Sequence, residues 1–130
     1  MASLDIFHKT YDWLEHHVGG KVLHAAGDVE GHLGTDDKFY LIDLARSFPP
    51  EDVRQCTHLA MRPSAIFYRL MRPELLNICK ERQMPSLSPD AISGWSNGQM
   101  DAAVHNKNLS LVTEMLLNEL IPACSRVRQR

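Results

Sequence analysis

The sequence predicts an α+β domain: a small β-hairpin or sheet packed against several helices, the last of them long and broken near Pro122. Three observations carry this. Phe39-Tyr40-Leu41-Ile42 is a short unbroken apolar run, fed by the turn sequence Gly34-Thr35-Asp36-Asp37-Lys38 and stopped by Pro49-Pro50. From Gln99 to about Val127, apolar residues from Ala103 and Val104 through Leu109, Val112 and Leu116 to Leu120 recur at helical spacing. Pro73 stands where a helix tolerates proline, in the first turn of a segment whose Leu75, Leu76, Ile78 and Cys79 supply an apolar face.

The elements follow in order. Ser3 to about Val18 reads as a helix capped by Ser3 and ended by Gly19-Gly20, with Ile6, Tyr11, Trp13, Leu14 and Val18 loosely at helical spacing. Val22 to Ala26 reads as a short strand, Asp28 to Asp37 as a loop, and Phe39 to Leu44 as a strand covered on both faces. Pairing those two strands across the loop gives the expected hairpin. Glu51 to Ala60 reads as a weak helix broken by Arg62-Pro63-Ser64. Ala65 to Met71 brings Ile66, Phe67, Leu70 and Met71 together, and the Pro73 helix follows. Met84 to Asn97, with two prolines and a cluster of serines, reads as a loop with at most one helical turn. Pro122 should kink or divide the final helix, because it lacks the N–H that a helix interior needs.

Composition bounds the function. A chain of 130 residues fits one domain, 1–130, with 44% hydrophobic and 23% charged residues, ordinary values for a folded protein. A net charge of −2 sets up no global field for nucleic acid or an anionic membrane, so RNA contact would need a local patch. No apolar run approaches the roughly 20 residues that span a bilayer. The first residues lack a basic region followed by an apolar stretch, so they do not read as a secretory signal. Cys56, Cys79 and Cys124 are odd in number, widely spaced and without a C-x-x-C pair. Free thiols in a reducing compartment, and hence a cytoplasmic protein, are the expectation.

Four constellations bear on chemistry. Asp28 and Asp43 flank the hairpin, and two acids at its ends can face one cleft, as in the metal-binding half of kinase-like phosphotransferases. Leu33 stands where such an enzyme needs a metal-binding asparagine, and no glycine-rich phosphate loop precedes Val22. The plainer expectation is that both acids cap turns or pair with Arg46, leaving no catalytic residue and no cofactor. Asp28 and Asp43 as catalytic acids, with Asp43 as a metal ligand, form the alternative: a relict kinase-like half that binds Mg or nucleotide only with a missing lobe. The seven histidines have no Cys/His spacing of a zinc site. Arg62, Arg69 and Arg72, interleaved with Phe67 and Tyr68, have the chemistry of phosphate contact and base stacking, and equally that of a solvated helix face. Trp95, in SGWSNG, could serve an interface or plug the core.

The segments KVLHAAGDVEGHLGTDDKFYLIDLARSFPPE, IFYRLMRPELL, PSLSPDAISGW and HNKNLSLVTEMLLNELIPAC, over residues 20–128, resemble in order the core of the CLU (clustered mitochondria) domain. Asp37 departs from it, standing where a turn glycine is expected. Members of that family look like large cytosolic proteins concerned with mitochondrial distribution, linked to messenger RNAs for mitochondrial proteins and to translation initiation. The resemblance implies a non-enzymatic interaction module that binds protein or ribonucleoprotein partners such as the ribosome and initiation machinery. It carries over no catalytic residues. The other domains and repeats of the family are not in this sequence, so it reads as an excised piece or a minimal protein.

Overall fold

The computed structural model describes residues 14–18, 21–56, 69–96 and 101–127. It is of the α+β class, and among the described residues there are two separate two-stranded antiparallel sheets beside helices. Strand β1 (His16–Val18) pairs with β2 (Lys21–Leu23), and β3 (Glu30–Leu33) with β4 (Phe39–Ile42). Helix α1 spans Pro73–Glu81, and a single 3₁₀ turn covers Gly94–Ser96. The final element is α2 (Ala102–Met115), a π-helical segment (Leu116–Leu120) and α3 (Ile121–Val127).

Three expectations for the segment ending at β4 are corrected. The N-terminal helix does not reach Val18: His16–Val18 is a strand, and residues 1–13 lie outside the described residues. Gly19-Gly20, read as a helix stop, equally separates two hairpin strands by two residues, and β1 pairs with β2 across it. The second hairpin is not the expected one, because the supposed loop contains β3, so β4 finds its partner nearby rather than at Val22 to Ala26. Nor is β4 covered on both faces. Phe39 is 71% exposed and Tyr40 48%, because the sheet is only two strands wide and the described helices do not lie over it.

The turn between β3 and β4 explains their register. Gly34 N–H donates to the Lys38 carbonyl (2.8 Å) and Asp37 N–H to the Gly34 carbonyl (3.1 Å), a three-residue loop closed by a bulge. That loop needs a left-handed residue, and Asp37 supplies it with φ 58°. The position flagged by its missing glycine is therefore the one that bears the strain.

Glu51–Cys56 is a buried turn rather than the start of a helix; residues 57–68 lie outside the described residues. It is held from both sides. Met71 N–H reaches the Pro49 carbonyl (2.7 Å), Glu51 N–H the Arg69 carbonyl (2.9 Å), and buried Asp52 N–H the Thr113 hydroxyl (2.8 Å). The segment's internal bonds are turn bonds to the third residue back, Gln55 N–H to the Asp52 carbonyl (3.0 Å) and Cys56 N–H to the Val53 carbonyl (3.3 Å), rather than the fourth-residue bonds of an α-helix.

Helix α1 begins as its proline predicts, with extended Arg72 before it. It ends in a Schellman arrangement: Gln83 N–H to the Lys80 carbonyl and Met84 N–H to the Cys79 carbonyl, both 3.0 Å, with Gln83 at φ 53°. The core joins Leu75, Leu76 and Cys79 of α1 to Leu109 and Val112 of α2, with Leu14, Met71, Leu87 and Ala91 filling between. Strands β3 and β4 contribute nothing to that cluster.

Division of the last helix falls one residue before Pro122. Ile121 N–H donates to the Leu116 carbonyl, five residues back, so the turn is widened. A proline at 122 offers no N–H to the Asn118 carbonyl and would press on it, and the wider turn relieves that contact.

Candidate docking groove and the buried charge cluster

The packing of α1 against the π segment and α3 leaves a groove of about 730 Å³. Its floor is apolar: Leu75 and Ile78 from α1, and Leu116, Leu120 and Ile121 from the widened turn. One rim carries Glu51, Arg69, Arg72 and Glu74, the other Cys124 and Ser125. Each rim arginine has its own acid. Arg69 meets Glu51 at 2.7 Å, and exposed Arg72 meets Glu74 at 3.2 Å. The Arg72 hydrogen bond holds the Glu74 carboxyl below its ordinary range. The rim therefore carries no net charge, and its pairs fix geometry more than they attract ions. Arg82 joins α1 to the π segment through two bonds to Glu119, at 2.7 and 3.0 Å, which lowers the Glu119 pKa.

Arg69 and Arg72, singled out as a basic patch, thus lie together at this groove with their charge matched. Arg62 lies outside the described residues. Trp95 falls in the 3₁₀ turn, and its side chain is likewise outside the description. The floor residues are legible one element at a time, Leu75 and Ile78 on the apolar face of the Pro73 helix and Leu116, Leu120 and Ile121 in the apolar pattern of the last one. Their convergence on one groove is set by tertiary packing, with the π turn among them.

Asp28 and Asp43 part company. Asp28 accepts from Arg46 Nε at 2.7 Å, and Arg46 also reaches Asp90 Oδ1 at 3.0 Å. Asp90 Oδ2 accepts the Gly27 amide at 2.9 Å, so one buried arginine ties the Gly27 turn, the Leu44–Ser47 turn and the Ser88–Ala91 loop together. Burial works against the Arg46 charge, but the hydrogen bonds and Coulomb attraction from Asp28 and Asp90 outweigh it and raise its pKa. Asp43 is exposed at φ 58° where β4 ends, and has no hydrogen bond or ion pair among the described residues. Of the two roles expected for it, a turn cap or a partner of Arg46, the second is absent; Asp90, which the sequence shows only as part of a Ser-Pro-Asp turn, stands beside Asp28 at Arg46. Among the described residues no cluster of three His, Cys, Asp or Glu side chains is placed to hold a metal ion.

Cys56 and Cys79 are buried free thiols and Cys124 an exposed one. Burial pushes the Cys79 thiol up to about 11 and raises that of Cys56, so neither is a nucleophile at neutral pH. No helix of the described residues is long and apolar enough to cross a membrane.

Neither a curated protein nor a solved structure matches the chain. A family match does exist, and it covers the N-terminal part, β1 to β4 and the Asp28–Arg46 contact, while most of the groove lies beyond it. Residues 4–53, less than half of the chain, match the model of the CLU family, described as Clustered mitochondria, and over that stretch the chain is similar to that family.

Proposed function

We propose that the chain is a non-enzymatic CLU-type interaction module, docking an amphipathic helix of a partner protein in the groove between α1 and α3. The observation that carries this is the groove's chemistry, an apolar floor beside a charge-balanced rim. A helix with an apolar stripe buries that floor and leaves its polar face in water. A phosphate backbone finds no unmatched arginine at this rim, so supporting RNA contact falls to Arg62 or to residues elsewhere. The family match and the sequence resemblance supply the setting: a cytoplasmic role in mitochondrial distribution and biogenesis, reached through proteins of the messenger-RNA translation machinery.

The test is affinity capture from cytosolic extract with and without RNase, using the parent chain and Ile121→Glu. Ile121 lines the groove yet is 44% exposed, so a carboxylate there alters the floor without emptying the core. Partners that survive RNase and are lost from Ile121→Glu support the reading. Partners that vanish with RNase, or bind the variant equally well, overturn it.

A further inference from the structure

We infer that the β3–β4 hairpin is a self-association surface, with β4 of one copy lying antiparallel to β4 of a second copy and Leu41 on the two-fold axis. The surface is separate from the groove and independent of its proposed role.

The hairpin has the properties of an unfinished sheet. A lone pair of strands is marginal in water, and three or more strands are the usual requirement for independent stability. Neither strand adds to the core cluster. Leu33 is 62% exposed, Phe39 71%, Tyr40 48% and Ile42 47%. Strand β4 carries none of the devices that blunt an edge: no proline and no internal bulge or charge in Phe39–Ile42.

The turn fixes which backbone groups are free. Gly34 and Lys38 form the bonded closing pair. Bonded and non-bonded pairs then alternate, so His32↔Tyr40 and Glu30↔Ile42 exchange bonds within the hairpin. The N–H and C=O of Phe39 and Leu41 point away from β3, and no other backbone bond among the described residues takes them up. Antiparallel pairing of two β4 edges must match outward groups with outward groups. Registers centred on each residue from Phe39 to Ile42 do so; those centred on Phe39 or Ile42 set Leu41 against Asp37 or Asp43 of the second copy, which leaves two.

In one register Tyr40 lies on the axis, which sets Asp37 opposite Asp43 of the second copy, two like charges face to face. In the other, Leu41 lies on the axis and bonds reciprocally to Leu41 of the second copy. Tyr40 then faces Ile42 of the second copy, and Ile42 faces Tyr40, in the closer, non-bonded type of pair. Aromatic against β-branched is a favourable cross-strand combination, and the contact is isologous, as a two-fold requires. The second register avoids the repulsion and places both half-exposed side chains.

The interface is small. The three exposed side chains of β4, Phe39, Tyr40 and Ile42, offer on the order of 350 Å² per copy, below the roughly 800 Å² per partner of a stable complex. A weak, reversible dimer is what this edge supports.

The test uses the full chain with Cys124→Ser, which removes the exposed native thiol. With Leu41→Cys added, the two axial Cα atoms should lie about 5.5 Å apart, within disulfide range. With Phe39→Cys they should lie roughly 13 Å apart, out of range. Under oxidised glutathione, Leu41→Cys should cross-link at least tenfold faster than Phe39→Cys, and sedimentation of the parent should show a concentration-dependent dimer. Leu41→Pro removes only an outward amide and should abolish that dimer. A monomer at every concentration, equal cross-linking at both positions, or a dimer that survives Leu41→Pro would overturn the inference.

Discussion

Replacing Arg46 with alanine should be among the most costly single changes in this chain. The side chain is 3% exposed and bonds to two acids, Asp28 at 22% and Asp90 at 0% exposure. Removing it deletes two charge-assisted hydrogen bonds of 2.7 and 3.0 Å and takes the guanidinium away from a fully buried Asp90 carboxylate. Breaking a buried pair in this way typically costs about 3–5 kcal/mol. Water can reach Asp28 in part, so the lower end, about 3 kcal/mol, is expected, out of the 5–15 kcal/mol that holds a typical domain. For a chain of this size the melting temperature should fall by roughly 10–20 °C. The assay is urea unfolding, read as the midpoint at constant slope. A companion variant isolates the cause. Arg46→Met with Asp28→Asn and Asp90→Asn removes all three charges while an amide oxygen can still accept the Gly27 N–H. It should recover most of the loss, because a buried ion cluster is often replaceable by neutral groups but not divisible. A loss below about 1 kcal/mol, or a triple variant no better than Arg46→Ala, refutes the reasoning.

Three further outcomes follow from backbone and burial. Asp37→Gly and Gln83→Gly should each stabilise their turns by about 0.5–1 kcal/mol, because φ 58° and φ 53° cost a side chain more than glycine; slower local amide exchange is the readout, and faster exchange sinks the idea. Cys79 stays protonated in the fold, its pKa raised from 9.0 to about 11, so its contribution is intact below pH 9 and lost as pH rises through about 11. A urea midpoint followed across that window should fall by about 2–3 kcal/mol more in the parent than in Cys79→Ala; parallel curves would contradict it. Pro122→Ala restores the missing N–H and should let the π turn close to α geometry, rotating α3 by about 100°. Ile121 and Cys124 would leave the groove, so helical circular dichroism should rise while RNase-resistant capture falls; undiminished capture would detach the π turn from docking.

What the sequence determined by itself is what local chemistry determines. The α+β class, the Pro73 start of α1, the loop before α2 and the long last element broken near Pro122 all rest on periodicity and on proline's missing donor. The demand at Asp37 was legible for the same reason: a turn's backbone angle is set by residues within the turn. Strand pairing was not legible, because Phe39–Ile42 looks equally apolar whether its partner is Val22–Ala26 or Glu30–Leu33, and the three-residue loop decided for the nearer. Burial was not legible either; an apolar strand implies cover only if another layer is present to supply it. The charge cluster needed the fold most of all. Asp43 stands closer in sequence to Arg46 than Asp28 or Asp90 does, yet its left-handed backbone at the strand end carries it into solvent. Asp90, 44 residues away, is brought to the guanidinium by packing of its loop against the Gly27 turn, where the low dielectric makes each partner costly to remove.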